Sequence, residues 1–484
     1  MSQTGDDTDE RMPRSQLIGL FVGLALLAVT LILPPPGDLS GSAWAALGLM
    51  MLMAAWWATE AIPIPATSLV PIVLIPALGL GTVRDATTPY ANPIIFLFLG
   101  GFTLGLAMQR WNLHRRIALH ILLMVGTSPR RQIGGFMLAT AFLSMWVSNT
   151  ATTIMMMPIG LSVLSMMDTG DDDSRHRFSV ALLLAIAYSA SVGGIATLIG
   201  TPPNALLAAY LTDQQDIPVG FAQWMIIGVP ISLLMLLVIW WWLTRTDFRM
   251  DSSASAGKAI REELGTLGAM SQAEIRVAIV FGLTAAAWIF RPLLADTLSW
   301  VSDTVIAIFA AVMLFLLRSG QRDGQALMDW DTARELPWGV LLLFGGGLAL
   351  AGVISSSGLA EAIATSLSVL EVLPALLMVG LVVAVIIFLT EVTSNTATAA
   401  AFLPLLGALA VGQGVSPLLL TVPAAIAASC AFMMPVATPP NAIVFGSGHL
   451  AISDMIRAGL VLNLIGIVLV TLLGYLLLGV AFSM

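Results

Sequence analysis

Ser148-Asn149-Thr150-Ala151-Thr152 returns 246 residues later as Ser394-Asn395-Thr396-Ala397-Thr398, and both copies lie inside long apolar runs. Each is followed by a second repeated word, Thr201-Pro202-Pro203-Asn204 and then Thr438-Pro439-Pro440-Asn441, 237 residues apart. Phe98-Leu99-Gly100-Gly101 and Leu343-Phe344-Gly345-Gly346 extend the pattern upstream at a spacing of 245, and Pro158 and Pro404 extend it downstream at 246. Polar words repeated in the same order within greasy sequence describe a duplicated chain whose interrupted helices build one site.

Composition fixes the solvent. Hydrophobic residues make up 58% of the 484 positions and charged residues only 10%, against roughly 25% charged in a soluble domain. A larger core cannot absorb that deficit, so lipid must. Every backbone polar group in lipid needs an internal partner, which makes the Leu-, Ala-, Ile- and Val-rich runs helices. Outer-membrane strands, with their ten-residue alternation, are not seen. The fold class is therefore an all-α polytopic membrane protein. Eleven crossing helices are expected near 17–33, 42–58, 62–80, 92–109, 178–199, 221–244, 273–290, 298–317, 338–358, 417–436 and 456–482. Gln16–Leu33 reads as a retained first helix rather than a cleavable signal.

Two further apolar stretches, about 129–167 and 374–410, are each too long for one crossing and carry the Ser-Asn-Thr word near the middle. Each reads as a re-entrant hairpin. Charge tests this layout. With the N-terminus inside and both hairpins re-entrant, 18 of the 20 Lys and Arg fall on the inside, leaving only Arg84 and Arg291 outside. That is the positive-inside bias, and counting either hairpin as a single crossing destroys it. The chain then divides into a cytoplasmic tail (1–16), a first helix and first repeat with a cytoplasm-facing hairpin (17–245), a cytoplasmic linker (246–272), and a second inverted repeat with an outward-facing hairpin (273–484).

The minor features are bland. Cys430 is the only cysteine, so an intramolecular disulfide is excluded, and the four histidines are scattered. Much of the net charge of −8 comes from Asp6, Asp7, Asp9, Glu10 and Asp171–Asp173, outside the apolar spans. Trp240–Trp242 suit the interfacial belt, Met155–Met157 suit gap-filling, and Gly345–Gly347 suit close helix packing.

Ser, Asn and Thr are ordinary helix N-caps, so one copy of the word means little. Two copies, each paired with a Pro-Pro break, mean more. Proline removes a donor and clashes with the preceding turn, so both Thr-Pro-Pro-Asn words should unwind their helices. Unwound backbone at membrane depth is tolerated only in protein or beside a wet cavity. Half-helix N-termini offer N–H groups to anions, whereas freed carbonyls with Ser, Thr and Asn oxygens suit Na+. Neither hairpin tip nor either break contains Lys or Arg. An anion there needs bound cations for its positive partner. Acids are scarce, which disfavours a proton-coupled antiporter. Glu60 lies at a helix end; Glu391, three residues before Ser394, reads as a buried acid hydrogen-bonded to the break rather than a ligand. Hydrolytic chemistry lacks its parts, since no histidine flanks Ser148 or Ser394. A continuous channel fits paired hairpins less well than alternating access.

Through both hairpins and both breaks, over nearly its whole length, the chain resembles the divalent anion/sodium symporter family, which includes bacterial dicarboxylate transporters. The resemblance implies two opposed hairpins, a homodimer in the prokaryotic inner (plasma) membrane, and an elevator movement of a transport domain against a scaffold. It implies a first sodium site at Ser144, Ser148, Asn149 and the backbone around Gly200, and a second at Thr390, Ser394, Asn395 and the backbone around Ala437. Substrate carboxylates would meet Asn149, Thr150 and Thr201 on one side and Asn395, Thr396, Thr438 and Pro439 on the other. Gly200 against Ala437 is a departure between the halves, so the two ion sites need not share a geometry. The expected activity is import of C4-dicarboxylates (succinate, malate, fumarate) coupled to Na+. Sodium-independent dicarboxylate or citrate exchange and sulfate transport are the alternatives within the same family. Nucleic acid is not an expected partner.

Overall fold

Prolines interrupt some of the apolar runs of this chain, whereas Pro158, Pro230 and Pro404 are carried inside helices. The computed structural model describes residues 13–126, 128–166, 172–246, 248, 254–294, 298–321, 324–366 and 373–482. Most of the expected tail 1–16, Asp171, and part of the linker 246–272 lie outside the described residues.

The chain opens with α1 (Arg14–Ile32) and α2 (Gly41–Thr59), which pack on one another. Ser40 starts α2 by accepting from the Ala43 N–H. The single crossing expected over 62–80 is not formed. Short helices α3 (Ile64–Thr67) and α4 (Val70–Ala77) replace it, followed by α5 (Val83–Thr87), because Pro63, Pro65, Pro71 and Pro76 remove donors that a continuous helix requires. Next come α6 (Pro93–Arg110), α7 (Leu113–Val125), a hairpin of α8 (Pro129–Ser144) and α9 (Asn149–Met166), then α10 (Asp172–Ile195), α11 (Pro202–Gln215), α12 (Phe221–Thr244) and α13 (Ala254–Thr266). The second half runs α14 (Gln272–Leu294), α15 (Asp303–Leu316), α16 (Trp330–Ala333), α17 (Trp338–Ser356) and α18 (Leu359–Ser366). A second hairpin, α19 (Ala375–Thr390) and α20 (Asn395–Gly412), precedes α21 (Leu418–Ala427), α22 (Pro439–Phe445) and α23 (Ile452–Phe482).

Among the described residues, nine helices are long and apolar enough to cross a membrane; eight lie in expected spans and the ninth, Asn395–Gly412, is an arm of the second expected hairpin, while Ile64–Ala77, Asp303–Leu316 and Leu418–Ala427, in the other three expected spans, are shorter. Burial sorts the long ones. An apolar 18-residue stretch of α10 is 94% buried, whereas those of α1, α14 and α23 are 22%, 28% and 28% buried. The latter three present Leu, Ile and Phe outward, as lipid-facing helices do.

The glycine words serve close approach. A Cβ on Gly100 would lie 2.6 Å from the Ala307 carbonyl carbon in α15, and one on Gly346 would lie 2.4 Å from the Ser68 carbonyl oxygen. Phe98 and Phe344, neighbours of these glycines, meet edge to face at 5.1 Å between ring centroids. Gly346→Ala is expected to force α17 off the Ser68 backbone and cost about 1–3 kcal/mol. A lowered melting temperature in detergent, with unchanged helix content, is the readout.

The linker is more than a loose connector. Its helix α13 packs on α7 and α9. Arg115 pairs with Glu263 of α13, while Arg116 binds Glu274 at 2.8 Å and the Gly268 carbonyl at 3.0 Å. Nearby, Asp329 caps α16 through the Thr332 N–H at 2.8 Å and pairs with Arg110 of α6 at 2.5 Å. The N–H bond first, and Arg110 next, hold the Asp329 carboxyl down at about 2.

Candidate functional site

Ser144 is the last residue of α8 and Asn149 the first of α9. Ser144 Oγ donates to the Ala190 carbonyl at 2.6 Å and lies 2.5 Å from the Asn149 amide. The same end of that amide is 3.2 Å from the Ala190 oxygen and 3.3 Å from the Gly200 oxygen. It therefore faces oxygens. Hydrogen bonding within the protein turns the amide nitrogen toward them; a cation among them would turn Oδ1 there instead. The second hairpin repeats the arrangement: Thr390 Oγ1 lies 2.6 Å from Asn395 Oδ1 and 3.1 Å from the Ala428 carbonyl.

Both breaks form, with different lengths. α10 stops at Ile195, and Pro202 and Pro203 open α11 in the first turn, where their missing N–H groups cost nothing. Asn204 Nδ2 ties the ends by donating to the Gly194 carbonyl at 3.1 Å and the Thr197 carbonyl at 2.8 Å. In the second half Asn441 Nδ2 donates to Ala431 at 3.2 Å and Met434 at 3.0 Å. The helix expected over 417–436 ends early, at Ala427. Pro435, whose ring would meet the Ala431 carbonyl, would disrupt a longer helix but does not account for an end at Ala427.

The N-cap reading of the polar words is partly right. Ser394 sits at the N-cap of α20, but its hydroxyl makes no capping bond. Thr201 likewise sits at the N-cap of α11 without a side-chain capping bond, its hydroxyl lying 3.5 Å from that of Ser429, whereas Thr438 spends its oxygen on the Asn441 N–H at 3.2 Å.

These pieces open into one cavity of about 900 Å³. Asn149, Thr150 and Thr201 of the first half line it, as do Asn395, Thr396, Thr438 and Pro439 of the second. Ser148, Gly200, Ser394 and Ala437 also face it. Ser144 and Thr390 are fully buried behind the two asparagines. Every site residue expected from the sequence is thus gathered at this cavity or directly behind it. Gln16, Thr59, Glu60 and Pro337 complete its rim. They belong to α1, the end of α2 and the start of α17, carry no repeated word, and were not foreseen as lining residues. Glu60 ends α2 in the left-handed conformation, with φ 49°. Among the described residues, neither Lys nor Arg lines the cavity.

A family model described as the sodium:sulfate symporter transmembrane region matches residues 14–481. The chain belongs to the sodium:sulfate symporter family. It is accordingly an integral membrane transporter and not an enzyme, and sodium is the coupling ion of its family. The chain is 45% identical over 471 residues to a sodium-dependent dicarboxylate transporter, SdcS, of Staphylococcus saprophyticus, covering 95% of this chain and 91% of that protein. The SdcS proteins of Staphylococcus aureus are 44% identical over the same share of both chains. Two solved structures have a similar fold. The YdaH transporter of Alcanivorax borkumensis aligns with a TM-score of 0.57 at 17% identity, over 97% of this chain and 99% of that one. MtrF of Neisseria gonorrhoeae aligns with a TM-score of 0.56 at 12% identity, over 96% and 95%.

Proposed function

We propose that this symporter-family protein imports C4-dicarboxylates with Na+ through an elevator form of alternating access. One observation carries the reading: the two hairpin tips and two helix breaks meet in a single cavity that, among the described residues, Lys and Arg do not line. A dianion held there needs its counter-charge from elsewhere, and the oxygen clusters behind Asn149 and Asn395 suit a hard cation. Ser144, Ser148, Asn149 and Gly200 form the first sodium site, and Thr390, Ser394, Asn395 and Ala437 the second. Asn149, Thr150, Thr201, Asn395, Thr396, Thr438 and Pro439 hold the substrate between them. The relatives' names favour dicarboxylate over the sulfate of the family's description.

In this reading the halves are an inverted repeat. The contact of Phe98 with Phe344, 246 positions apart, supports a pseudo-two-fold axis between them, as do the matched tethers of Asn204 and Asn441. The N-terminus lies in the cytoplasm. The cavity is rimmed by the start of α1, the end of α2 and the start of α17, which that orientation puts on the inside, so the state described is inward-facing. The protein works as a homodimer in the plasma membrane.

Uptake of labelled succinate, citrate and sulfate into proteoliposomes under an inward Na+ gradient is the test. Succinate should accumulate most. Sulfate accumulation with no succinate uptake would overturn the substrate assignment; succinate movement that needs internal dicarboxylate and ignores Na+ would make the protein an exchanger.

A further inference from the structure

Glu391 is 3% exposed and lies in the tip of the second hairpin, next to Thr390. Its carboxylate is ringed by donors. Oε1 accepts from the Phe432 N–H at 2.7 Å, the Met433 N–H at 2.9 Å and Asn463 Nδ2 at 2.7 Å. Oε2 accepts from the Met433 N–H at 3.1 Å and the Met434 N–H at 2.9 Å. A carboxylate can accept all of these, whereas a protonated carboxyl or an amide would aim its own hydrogen at a donor.

These N–H groups belong to the break between α21 and α22, residues 428–438, where helical acceptors have been lost. The carbonyls of the same segment are also allotted. That of Ala428 lies against Thr390, those of Ala431 and Met434 against Asn441, and that of Phe432 accepts from the Tyr188 hydroxyl at 2.7 Å. Glu391 is what fixes the N–H side of this ribbon, and hence which way its carbonyls point.

The first half solves the equivalent problem without charge. Met145 stands 246 positions before Glu391, and Thr197 stands 237 before Met434. There the Thr197 hydroxyl donates to the Met145 carbonyl at 2.6 Å. The same two positions are bridged in both halves, by a neutral bond in one and by a buried carboxylate in the other.

We propose that Glu391 is the positioning residue of the second cation site: it holds the 428–438 ribbon so that the Ala428 and Ala437 backbone stays in register with Thr390 and Asn395. The proposal rests on the reading above that these residues hold Na+. Two consequences separate it from a general role in folding. Its effect is confined to the second site, and it alters the Na+ requirement rather than the maximal rate.

The test uses full-length purified protein. Na+ is titrated against thermal unfolding without substrate, and against succinate uptake in proteoliposomes. Glu391→Gln is expected to raise the half-saturating Na+ concentration at least tenfold, with uptake at saturating Na+ largely retained. Combined with Thr390→Ala the shifts should fall short of additive, whereas combined with Ser144→Ala they should add. An unchanged half-saturating concentration, or equal coupling to both partners, would overturn the proposal. If Glu391→Gln yields no folded protein, Asn463→Ala decides. It keeps the carboxylate, removes one donor, and should shift the Na+ requirement two- to fivefold with the same preference for Thr390; wild-type behaviour would overturn the proposal equally. Wild-type protein that is stabilised by Na+ but transports no succinate would fail the substrate reading alone and leave the role of Glu391 intact.

Discussion

Asn149→Ala and Asn395→Ala are each expected to lower Na+-driven succinate uptake at least a hundredfold, while the amount of folded protein in the membrane stays near wild type. The size follows from where the amides sit. Each asparagine opens the second arm of a hairpin, lines the cavity, and touches the hydroxyl (Ser144 or Thr390) that in turn reaches a neighbouring backbone carbonyl. One side chain thus belongs both to the proposed ion site and to the substrate wall. Truncation removes a ligand from each and leaves buried hydroxyl and carbonyl oxygens unmatched, at roughly 1–3 kcal/mol per orphaned group. Two such losses sum to roughly 2–6 kcal/mol, about 1.5 to 4.5 powers of ten with a midpoint near three. Uptake at a third of the wild-type rate by either variant would remove the dual role.

Replacement of Na+ by choline is expected to weaken succinate binding by about a thousandfold, read by calorimetry or by succinate-dependent thermal shift. The cavity surface offers hydroxyls, amides and the first turns of α9, α11, α20 and α22, but among the described residues no basic side chain. Helix ends contribute partial charges only. One full cation about 4 Å from a carboxylate contributes roughly 4 kcal/mol at an effective dielectric constant near 20, which is the thousandfold. Binding of equal strength in choline would mean that the helix ends alone hold the anion, and sodium coupling would then have to be abandoned.

The repeated words made the site legible because each marks a backbone event. Ser-Asn-Thr falls where α8 turns into α9 and α19 into α20, and Thr-Pro-Pro-Asn falls where α11 and α22 begin. What escaped was set by partners distant in sequence. That Glu391 bonds to the break was legible; which N–H groups it takes, those of Phe432 to Met434 some forty positions away, spacing cannot reveal. The prolines between Pro63 and Pro76 were visible, but a hydropathy window averages over them and so reported one crossing where α3 and α4 stand. Helices α7 and α13 lacked the length of a span. They are tied down by ion pairs to residues far along the chain, Arg115 of α7 with Glu263 of α13 and Arg116 of α7 with Glu274 of α14. The cavity rim at Gln16, Thr59 and Glu60 had no motif because it closes the site by position alone.

α10 is walled in by protein along nearly its whole length, with α8, α9, α12 and α22 pressed against it. A rod enclosed in this way has no free seam along which to slip by itself. In the proposed elevator movement, a stroke that displaced it would drag the first hairpin, α12 and α22 along, and the gap between Asn149 and Thr201 would be carried as fixed cargo geometry rather than remade at each end of the journey.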